Sequence, residues 1–279
     1  MTGAVGFIGL GNIGAPMASH LVDWPGGLLV CDVQAEATEP FVARGARAVA
    51  TPAEVAAEAD VISVMVRDDA QVEDVVAGIL ATGRSGLVVA VHSTIAPGTA
   101  ERLAERAAPA GVAVVDAAVS GGPTGAAEGK LAVLVGGEAA AVDRCREPFG
   151  RWATRIEHFG PVGAGTRAKL ARNLATYVSY AAVGEALLLA EAAGVDLVRL
   201  GEVMRYTDGL TGGPGAIAVR ATTGPMAEDD PMRPFFVHGY ELGEKDLHLA
   251  LALGEELAVD LPLTKRALGQ LGDAFGVGS

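Results

Sequence analysis

Cysteine is scarce in this chain. It has two cysteines among 279 residues, and neither Cys31 nor Cys145 has a Cys-x-x-Cys or Cys/His spacing around it. Disulfide frameworks and structural zinc sites need more cysteines at closer spacing, so neither is indicated. The five histidines stand apart from one another and form no metal-ligand pattern. We therefore predict no metal site, and a reducing cytoplasm is the compartment that fits.

Basic residues are also few. The 21 Lys and Arg residues are scattered and outnumbered by 34 Asp and Glu residues, which gives a formal net charge of −13. Such a chain repels phosphate backbones and anionic lipid surfaces, so we expect no nucleic-acid partner. The opening MTGAVGFIGLG has no early Lys or Arg, and no signal peptide is expected. Two glutamates interrupt the most apolar run, residues 174–194, so we predict no membrane span.

The chain has two parts with different sequence patterns. Up to residue 162, short apolar runs alternate with helical segments, and from 163 to 279 helical periodicity dominates. Alternation of this kind predicts an α/β domain with a mostly parallel, doubly wound sheet, followed by an all-helical domain. A glycine- and proline-rich stretch, residues 207–234, predicts a functional loop. The predicted strands are AVGFI, LLVCD, DVISVMV, GLVVAVH and VAVVD, with KLAVLVGG and TRIEHFG extending the edge of the sheet.

The segment GLGNIG follows the first predicted strand and opens a helix. Gly9 permits the tight turn, Gly11 lets the backbone approach a pyrophosphate, and Gly14 lets helix and strand pack closely. The alternative, an ordinary glycine turn, does not explain Asp32, which ends the next strand where an acid binds ribose hydroxyls. The pattern predicts a dinucleotide-binding Rossmann domain. Because the Asp32 carboxylate repels a 2′-phosphate and Val33 and Gln34 offer no cation, it favours NAD over NADP.

Two further segments carry possible chemistry. Lys169 and Asn173 stand four residues apart, on one helical face, and a desolvated lysine can move the proton of an alcohol. The alternative is a solvated helix lysine. Ser120, Gly121 and Gly122 end a predicted strand, where their N–H groups could bind a carboxylate or form a plain turn.

Four segments in order, GFIGLGNIGAPMASHL, DAAVSGGPTGAAEGKL, GPVGAGTRAKLARN and EKDLHLAL, together resemble the β-hydroxyacid dehydrogenase family over nearly the whole chain. The resemblance implies a Rossmann domain joined by one long helix to a helical domain, and a homodimer or homotetramer. It implies that Lys169 is the catalytic lysine, with Asn173 and Ser120 beside it at the reacting substrate. Substrate-binding residues would be Ser120, Gly121, Gly122 and Asn173, and Phe236 is added to them because it follows the irregular loop and precedes Lys245. The predicted cofactor-binding residues are Gly9, Leu10, Gly11, Asn12, Ile13, Gly14, Asp32, Met65, Val66, Thr94 and Lys245, with Asp246 orienting Lys245.

The chain departs from the family pattern at several positions. Ala118 replaces a proline in the substrate motif, and His92 stands where an acid is often found. Arg67 and Asp68 follow the strand that commonly ends in Met-Leu-Pro, which would place them near the cofactor. These departures bear on the substrate more than on the reaction. Phe236 could line the substrate pocket or pack in the core.

The resulting prediction is an NAD-dependent dehydrogenase of a small β-hydroxy acid or its semialdehyde, with a small carboxylate as substrate. One alternative is an imine reductase or reductive aminase on the same scaffold, although those relatives usually place Asp or Tyr where this chain has Lys169. Another is a non-catalytic dinucleotide sensor. The presence of Lys169, Asn173 and Lys245 argues against that second alternative.

Overall fold

Strands and helices alternate through the first part of the chain. A computed structural model describes residues 3–220 and 222–278, and within these residues eight strands form one sheet. The predicted apolar runs coincide with seven of the strands, while the two-residue β3 was not predicted because both its residues are exposed and polar or small. The strands are β1 Ala4–Ile8, β2 Leu28–Cys31, β3 Arg47–Ala48, β4 Ala59–Val64, β5 Val88–Val91, β6 Ala113–Ser120, β7 Leu131–Gly136 and β8 Ala153–Gly160.

The sheet has the order β3-β2-β1-β4-β5-β6-β7-β8. All neighbours are parallel except β6 and β7, which run antiparallel with Asp116 opposite Gly136. The chain moves outward from β1 in one direction to β3 and then crosses to β4 on the other side. This reversal creates a crevice at the carboxyl ends of β1 and β4, the place where doubly wound sheets bind ligands.

Apolar side chains cover both faces of the sheet because its strands are buried on two sides. On one face Phe7, Phe149 and Trp152 belong to a core that includes residues of the first and seventh helices. On the other face Ile8 and Ile62 belong to a second core. The helices of this part are α1 Gly14–Ser19, α2 Glu39–Val42, α3 Pro52–Glu58, α4 Asp69–Leu80, α5 Pro97–Ala107, α6 Gly122–Ala127 and α7 Ala139–Phe149.

The predicted helical region follows. Its helices are α8 Ala164–Ala192, α9 Leu197–Thr211, α10 Arg233–Glu256, α11 Pro262–Leu268 and α12 Leu271–Phe275. The 29-residue α8 is the long helix that the resemblance implied. Contacts between Cα atoms divide the chain into one unit ending at Arg172 and another beginning at Asn173, so the division falls within α8. None of the described helices combines the length and apolar character needed to cross a membrane.

The predicted loop 207–234 is partly helical. Helix α9 continues to Thr211, and a 3₁₀ helix spans Gly213–Ile217 before irregular chain leads to α10. Ala221 lies outside the described residues. Helix α9 ends where Gly212 adopts a left-handed conformation, with φ of +86°, which stops the α-helical ladder.

Candidate cofactor and active site

The glycine-rich turn lies between β1 and α1. Gly9 has a φ of +94°, and a Cβ there would overlap the carbonyl oxygen of Met65. A Cβ on Gly14 would overlap the carbonyl oxygen of Gly9, whereas a Cβ on Gly11 would meet nothing within 4 Å. Gly9 and Gly14 are therefore required by close backbone approach. Gly11 leaves the surface of the turn open to a ligand.

Asp32 follows directly after β2 and faces this turn. One carboxylate oxygen accepts a hydrogen bond of 2.6 Å from the Leu10 N–H, and the other accepts one of 2.8 Å from the Gln34 N–H. The Leu10 side chain is buried in the core, so Leu10 contributes its backbone N–H, and not its side chain, to the contact with Asp32. Asp32 thus fixes the shape of the loop beside it.

A cleft of about 730 Å³ opens at the carboxyl ends of β1, β2, β4 and β5. It lies entirely in the first unit, at the crevice created by the reversal of strand order. The tertiary structure brings together most of the residues that the sequence assigned to the cofactor. The predicted residues that line this cleft are Gly9, Gly11, Asn12, Ile13, Gly14, Asp32, Met65, Val66 and Thr94.

Further polar residues line the cleft, and of these Arg67 was expected near the cofactor whereas Gln71 and Asp74 were not. Arg67, Gln71 and Asp74 come from β4's end and the start of α4. Asp68 caps α4 by accepting a 3.0 Å hydrogen bond from the Gln71 N–H, and this fixes which face of the first turns points to the cleft. A helix-capping Asp68 followed by polar residues three and six positions later is the sequence signal that could have revealed Gln71 and Asp74.

Ser93 joins the ends of β4 and β5 beneath the cleft. Its hydroxyl donates to the Val66 carbonyl at 2.7 Å and accepts from the Val66 N–H at 3.0 Å. Ser93 also lines the cleft. This reciprocal pair holds the two strand ends in register and so sets the position of Met65, Val66 and Thr94.

His92 lies behind the cleft and is buried. Its Nδ1 lies 2.8 Å from the Ala117 carbonyl oxygen and its Nε2 lies 3.0 Å from the Ser63 hydroxyl. Phe149 and Trp152 pack edge-on against its ring at centroid distances of 5.1 and 5.2 Å. Burial lowers the pKa of His92 to about 4, so the ring is neutral at pH 7 and serves packing rather than proton transfer.

Ser120, Gly121 and Gly122 form the junction between β6 and α6. Gly121 and Gly122 have φ values of +131° and +64°, and a Cβ on Gly121 would lie 2.8 Å from Cδ2 of Leu131. Ala118, which stands where the family pattern has a proline, lies inside β6, where it is buried and pairs with Leu134. The two positive φ values turn the chain sharply at the end of the strand.

Lys169 lies in the second turn of α8, and its exposure is only 7%. Burial, and to a lesser extent the positive charge of Arg172, lowers the pKa of the Lys169 amine to about 8. A neutral amine is therefore accessible near physiological pH. Asn173 follows one helical turn later, as the spacing requires. The sequence alternative of a solvated helix lysine does not match this burial.

The remaining predicted residues lie on α10. Lys245 is mostly exposed, and its ammonium lies 3.2 Å from the Asp246 carboxylate. Phe236 is buried, and its ring lies 5.9 Å from those of Phe235 and Phe275, which is a packing environment. In the described part of the chain, no group of three or more His, Cys, Asp or Glu side chains is placed to hold a metal ion.

Comparisons with protein families match both parts of the chain. A model described as the NAD binding domain of 6-phosphogluconate dehydrogenase matches residues 4–160. A model described as NAD-binding of NADP-dependent 3-hydroxyisobutyrate dehydrogenase matches residues 163–274.

Individual proteins are similar over almost their whole length. An uncharacterized oxidoreductase of Mycobacterium tuberculosis is 56% identical over 99% of this chain and 94% of its own. An NAD-dependent L-serine dehydrogenase of Pseudomonas aeruginosa is 35% identical over 95% of this chain and 89% of its own. The crystal structure of a putative oxidoreductase from Mycobacterium avium has a TM-score of 0.95 at 48% identity and covers 99% of both chains.

Proposed function

The chain belongs to the β-hydroxyacid dehydrogenase family of NAD(P)-binding oxidoreductases, and we propose that it transfers hydride between NAD and a small β-hydroxy acid or its semialdehyde. The observation that carries this proposal is the buried amine of Lys169, with its pKa near 8, on the helix that follows a dinucleotide-type fold.

The cleft fits a dinucleotide. Its volume, its place at the reversal of strand order and the open face at Gly11 all suit a pyrophosphate that approaches the backbone. The residues that would hold it are Asn12, Ile13, Asp32 and Thr94, together with the backbone of the glycine-rich turn. When bound, the nicotinamide supplies the hydride acceptor or donor of the reaction.

Asp32 supports NAD as the preferred form. A free ribose can donate its hydroxyls to the carboxylate, whereas a 2′-phosphate would place negative charge beside it. Arg67 lines the same cleft and is the feature that could favour a phosphate. The proposal therefore includes a cofactor preference that a direct competition between NAD and NADP can overturn.

Lys169 moves the proton. In the oxidation direction, the neutral amine accepts the hydroxyl proton of the substrate while the hydride on the same carbon leaves, so the C–O bond becomes a carbonyl. In the reduction direction, the ammonium returns that proton to the carbonyl oxygen. Burial of Lys169 is what makes the neutral amine available, because it disfavours the charged form.

Ser120, Gly121, Gly122 and Asn173 bind the substrate carboxylate in this proposal, and Lys245 closes over the cofactor. The support for these roles is the family resemblance, the sharp turn at the end of β6 and the position of Asn173 one turn beyond Lys169. The relative named L-serine dehydrogenase points to serine-like acids as the first substrates to try. 3-Hydroxyisobutyrate, glycerate and 3-hydroxypropionate are the others.

A second copy of this chain is the proposed partner, as a homodimer or homotetramer. Helix α9 has no buried residue, and Val203, Tyr206 and Leu210 form an apolar stripe along it at helical spacing. Leu174 and Tyr177 are likewise exposed on α8. Apolar stripes of this kind are typical of helices that pack against another subunit.

The test is a spectrophotometric screen of β-hydroxy acids with NAD and with NADP, alongside a panel of ketones with amines. We expect turnover of at least one β-hydroxy acid, and a fall in kcat of about 10²- to 10⁴-fold in Lys169→Ala while NAD binding is retained. The control is Lys265→Ala, which removes an exposed lysine paired with Asp260. Full activity of Lys169→Ala, or turnover of amines alone, would overturn the proposal.

A further inference from the structure

A buried carboxylate joins the strand β6 to the helix that carries Lys169. Asp116 is 1% exposed, and its two oxygens accept hydrogen bonds from the Gly163 N–H at 2.7 Å and from the Thr166 N–H at 2.6 Å. Both donors lie at the beginning of α8, where peptide N–H groups have no partner within the helix. The Asp116 side chain therefore caps α8 from a neighbouring strand 47 and 50 residues away in the sequence.

Two glycines allow this helix to lie directly on the sheet. A Cβ on Gly165 would overlap the carbonyl oxygen of Leu134, and would lie 2.7 Å from the Gly136 nitrogen and 2.8 Å from the Asp116 carbonyl oxygen. A Cβ on Gly136 would lie 2.5 Å from the Asp116 carboxylate. The first turn of α8 is thus in backbone contact with β6 and β7, and side chains there would push it away.

This attachment determines where Lys169 is held. Lys169 follows Thr166 by three residues, a rise of about 4.5 Å along the helix, too short a distance for bending to absorb a displaced first turn. The side chains of Thr166 and Lys169 are both buried, which shows that the docked face of α8 continues through the lysine. A shift of the first turn must therefore change the depth of the amine.

The same strand leads to the proposed substrate loop. Ser120 ends β6 four residues after Asp116, about 13 Å along an extended strand. The Asp116 side chain is thus hydrogen-bonded to the first turn of the helix that carries Lys169. Its backbone belongs to the strand that ends at Ser120. One carboxylate connects two elements that have to stay in register for the reaction.

We propose that Asp116 is a positioning residue, which fastens the first turn of α8 to β6 and thereby sets the depth of the Lys169 amine relative to the substrate loop. The proposal rests on the proposed function of Lys169. It assigns Asp116 no contact with substrate or cofactor. Its consequence is that the ionisation of Lys169, and not only the stability of the protein, depends on the Asp116 carboxylate.

The first measurement follows the amine itself. The purified protein is labelled with a limiting amine-acylating reagent across a range of pH, and modification of each lysine is quantified by mass spectrometry. Lys169 should titrate near pH 8, and in Asp116→Asn its midpoint should rise towards the ordinary lysine value of 10.5 as the amine gains water. Lys130, Lys245 and Lys265, which are exposed, serve as internal references and should not move.

A matched variant separates positioning from stability. Glu185 is another buried carboxylate that accepts N–H groups at the start of a helix, from Leu263 at 2.7 Å and Thr264 at 3.0 Å. Glu185→Gln and Asp116→Asn should both lower the melting temperature, but Glu185→Gln should leave the midpoint of Lys169 unchanged. Should Asp116→Asn fail to fold, Asp116→Glu keeps the charge and displaces the helix by one methylene, and the same rise in midpoint is expected.

The second measurement uses turnover of the substrate found in the screen. A misplaced proton-transfer group lowers kcat by about 10²-fold, so kcat of Asp116→Asn should fall while KM for NAD stays within about twofold. The pH at half-maximal kcat should rise together with the labelling midpoint. An unchanged midpoint and an unchanged pH profile in both Asp116 variants would overturn the positioning role, while full activity of Lys169→Ala would overturn the proposed function instead.

Discussion

The Asp32 carboxylate accepts a hydrogen bond of 2.6 Å from the peptide N–H of Leu10, so the acid at the end of β2 also holds the glycine-rich turn after β1. The turn and the acid are 22 residues apart in the sequence. A dinucleotide in the cleft would meet both at once, its phosphates at the turn and its ribose at the carboxylate. Loss of Asp32 therefore affects the shape of the loop and the selection of the cofactor together.

Substitution of Asp32 can separate these effects. Asp32→Asn keeps an oxygen that can accept from Leu10 and removes the charge, so the preference for NAD over NADP should fall by about tenfold or more while the fold is retained. Asp32→Ala should also weaken NAD binding, by about 1.5 to 3 kcal/mol. Calorimetric titration with both cofactors measures these changes. An unchanged ratio of affinities in Asp32→Asn would remove Asp32 from cofactor selection and direct attention to Arg67.

The pH dependence of turnover follows from Lys169. Since burial lowers the pKa of the amine to about 8, oxidation of the substrate should accelerate as pH rises through about 8 and the neutral amine forms. Reduction needs the ammonium and should slow over the same range. Initial rates in both directions between pH 6 and about pH 10 test this. Parallel profiles in the two directions would be incompatible with proton transfer by one lysine.

His92 makes the stability of the fold sensitive to acid. Burial lowers the pKa of His92 from 6.5 to about 4, so the folded chain keeps the ring neutral where the unfolded chain protonates it. This contribution is fully present above pH 6.5 and is lost as pH falls towards 4, by roughly 3 kcal/mol at most. Denaturant unfolding at several pH values should give a shallower dependence in His92→Gln than in the wild type. Equal slopes would show that another group controls the acid sensitivity.

The apolar stripe on α9 predicts an interface between copies. Tyr206→Glu and Leu210→Glu each place a charge on a side chain that is about 70% exposed in the single chain, and both should shift the protein towards smaller species in light scattering after size exclusion. Arg205→Glu is the control, since position 205 is turned about 100° around the helix from Tyr206 and about 140° from Leu210, away from the apolar stripe. A wild type that is monomeric at micromolar concentration would contradict the interface.

Most of the fold followed from local sequence. Strands β1 and β2 were recognisable as apolar runs, because a strand that is buried on both faces has apolar residues at consecutive positions. Helix α8 was recognisable from its periodicity, because a helix that is buried on one face repeats apolar residues every three to four positions. The direction of β7 left no such pattern, since KLAVLVGG reads the same in a parallel or an antiparallel pair. The short connection through α6 brings the chain back beside β6, which makes that pair antiparallel.

The candidate site divides in the same way. Gly9 and Gly14 were predictable because their backbone requirements are local, and Asp32 because its distance from the turn is set by one βαβ unit. Arg67 was expected near the cofactor from its place after β4, and it lines the cleft, whereas the places of Gln71 and Asp74 in the cleft came from the structure. Phe236 could have been a pocket residue or a core residue, and the structure surrounds it with Phe235 and Phe275. Its assigned contact with substrate stays a prediction.

By itself the sequence determined which segments become strands and helices and which residue types are available for hydride and proton transfer. These properties depend on residues only a few positions apart in the chain. Only the tertiary structure decided that Lys169 is buried and that Asp116 caps its helix. Burial of an amine and capping from a distant strand depend on backbones meeting across about 50 residues. Contacts of that kind arise from packing, which no local pattern in the chain records.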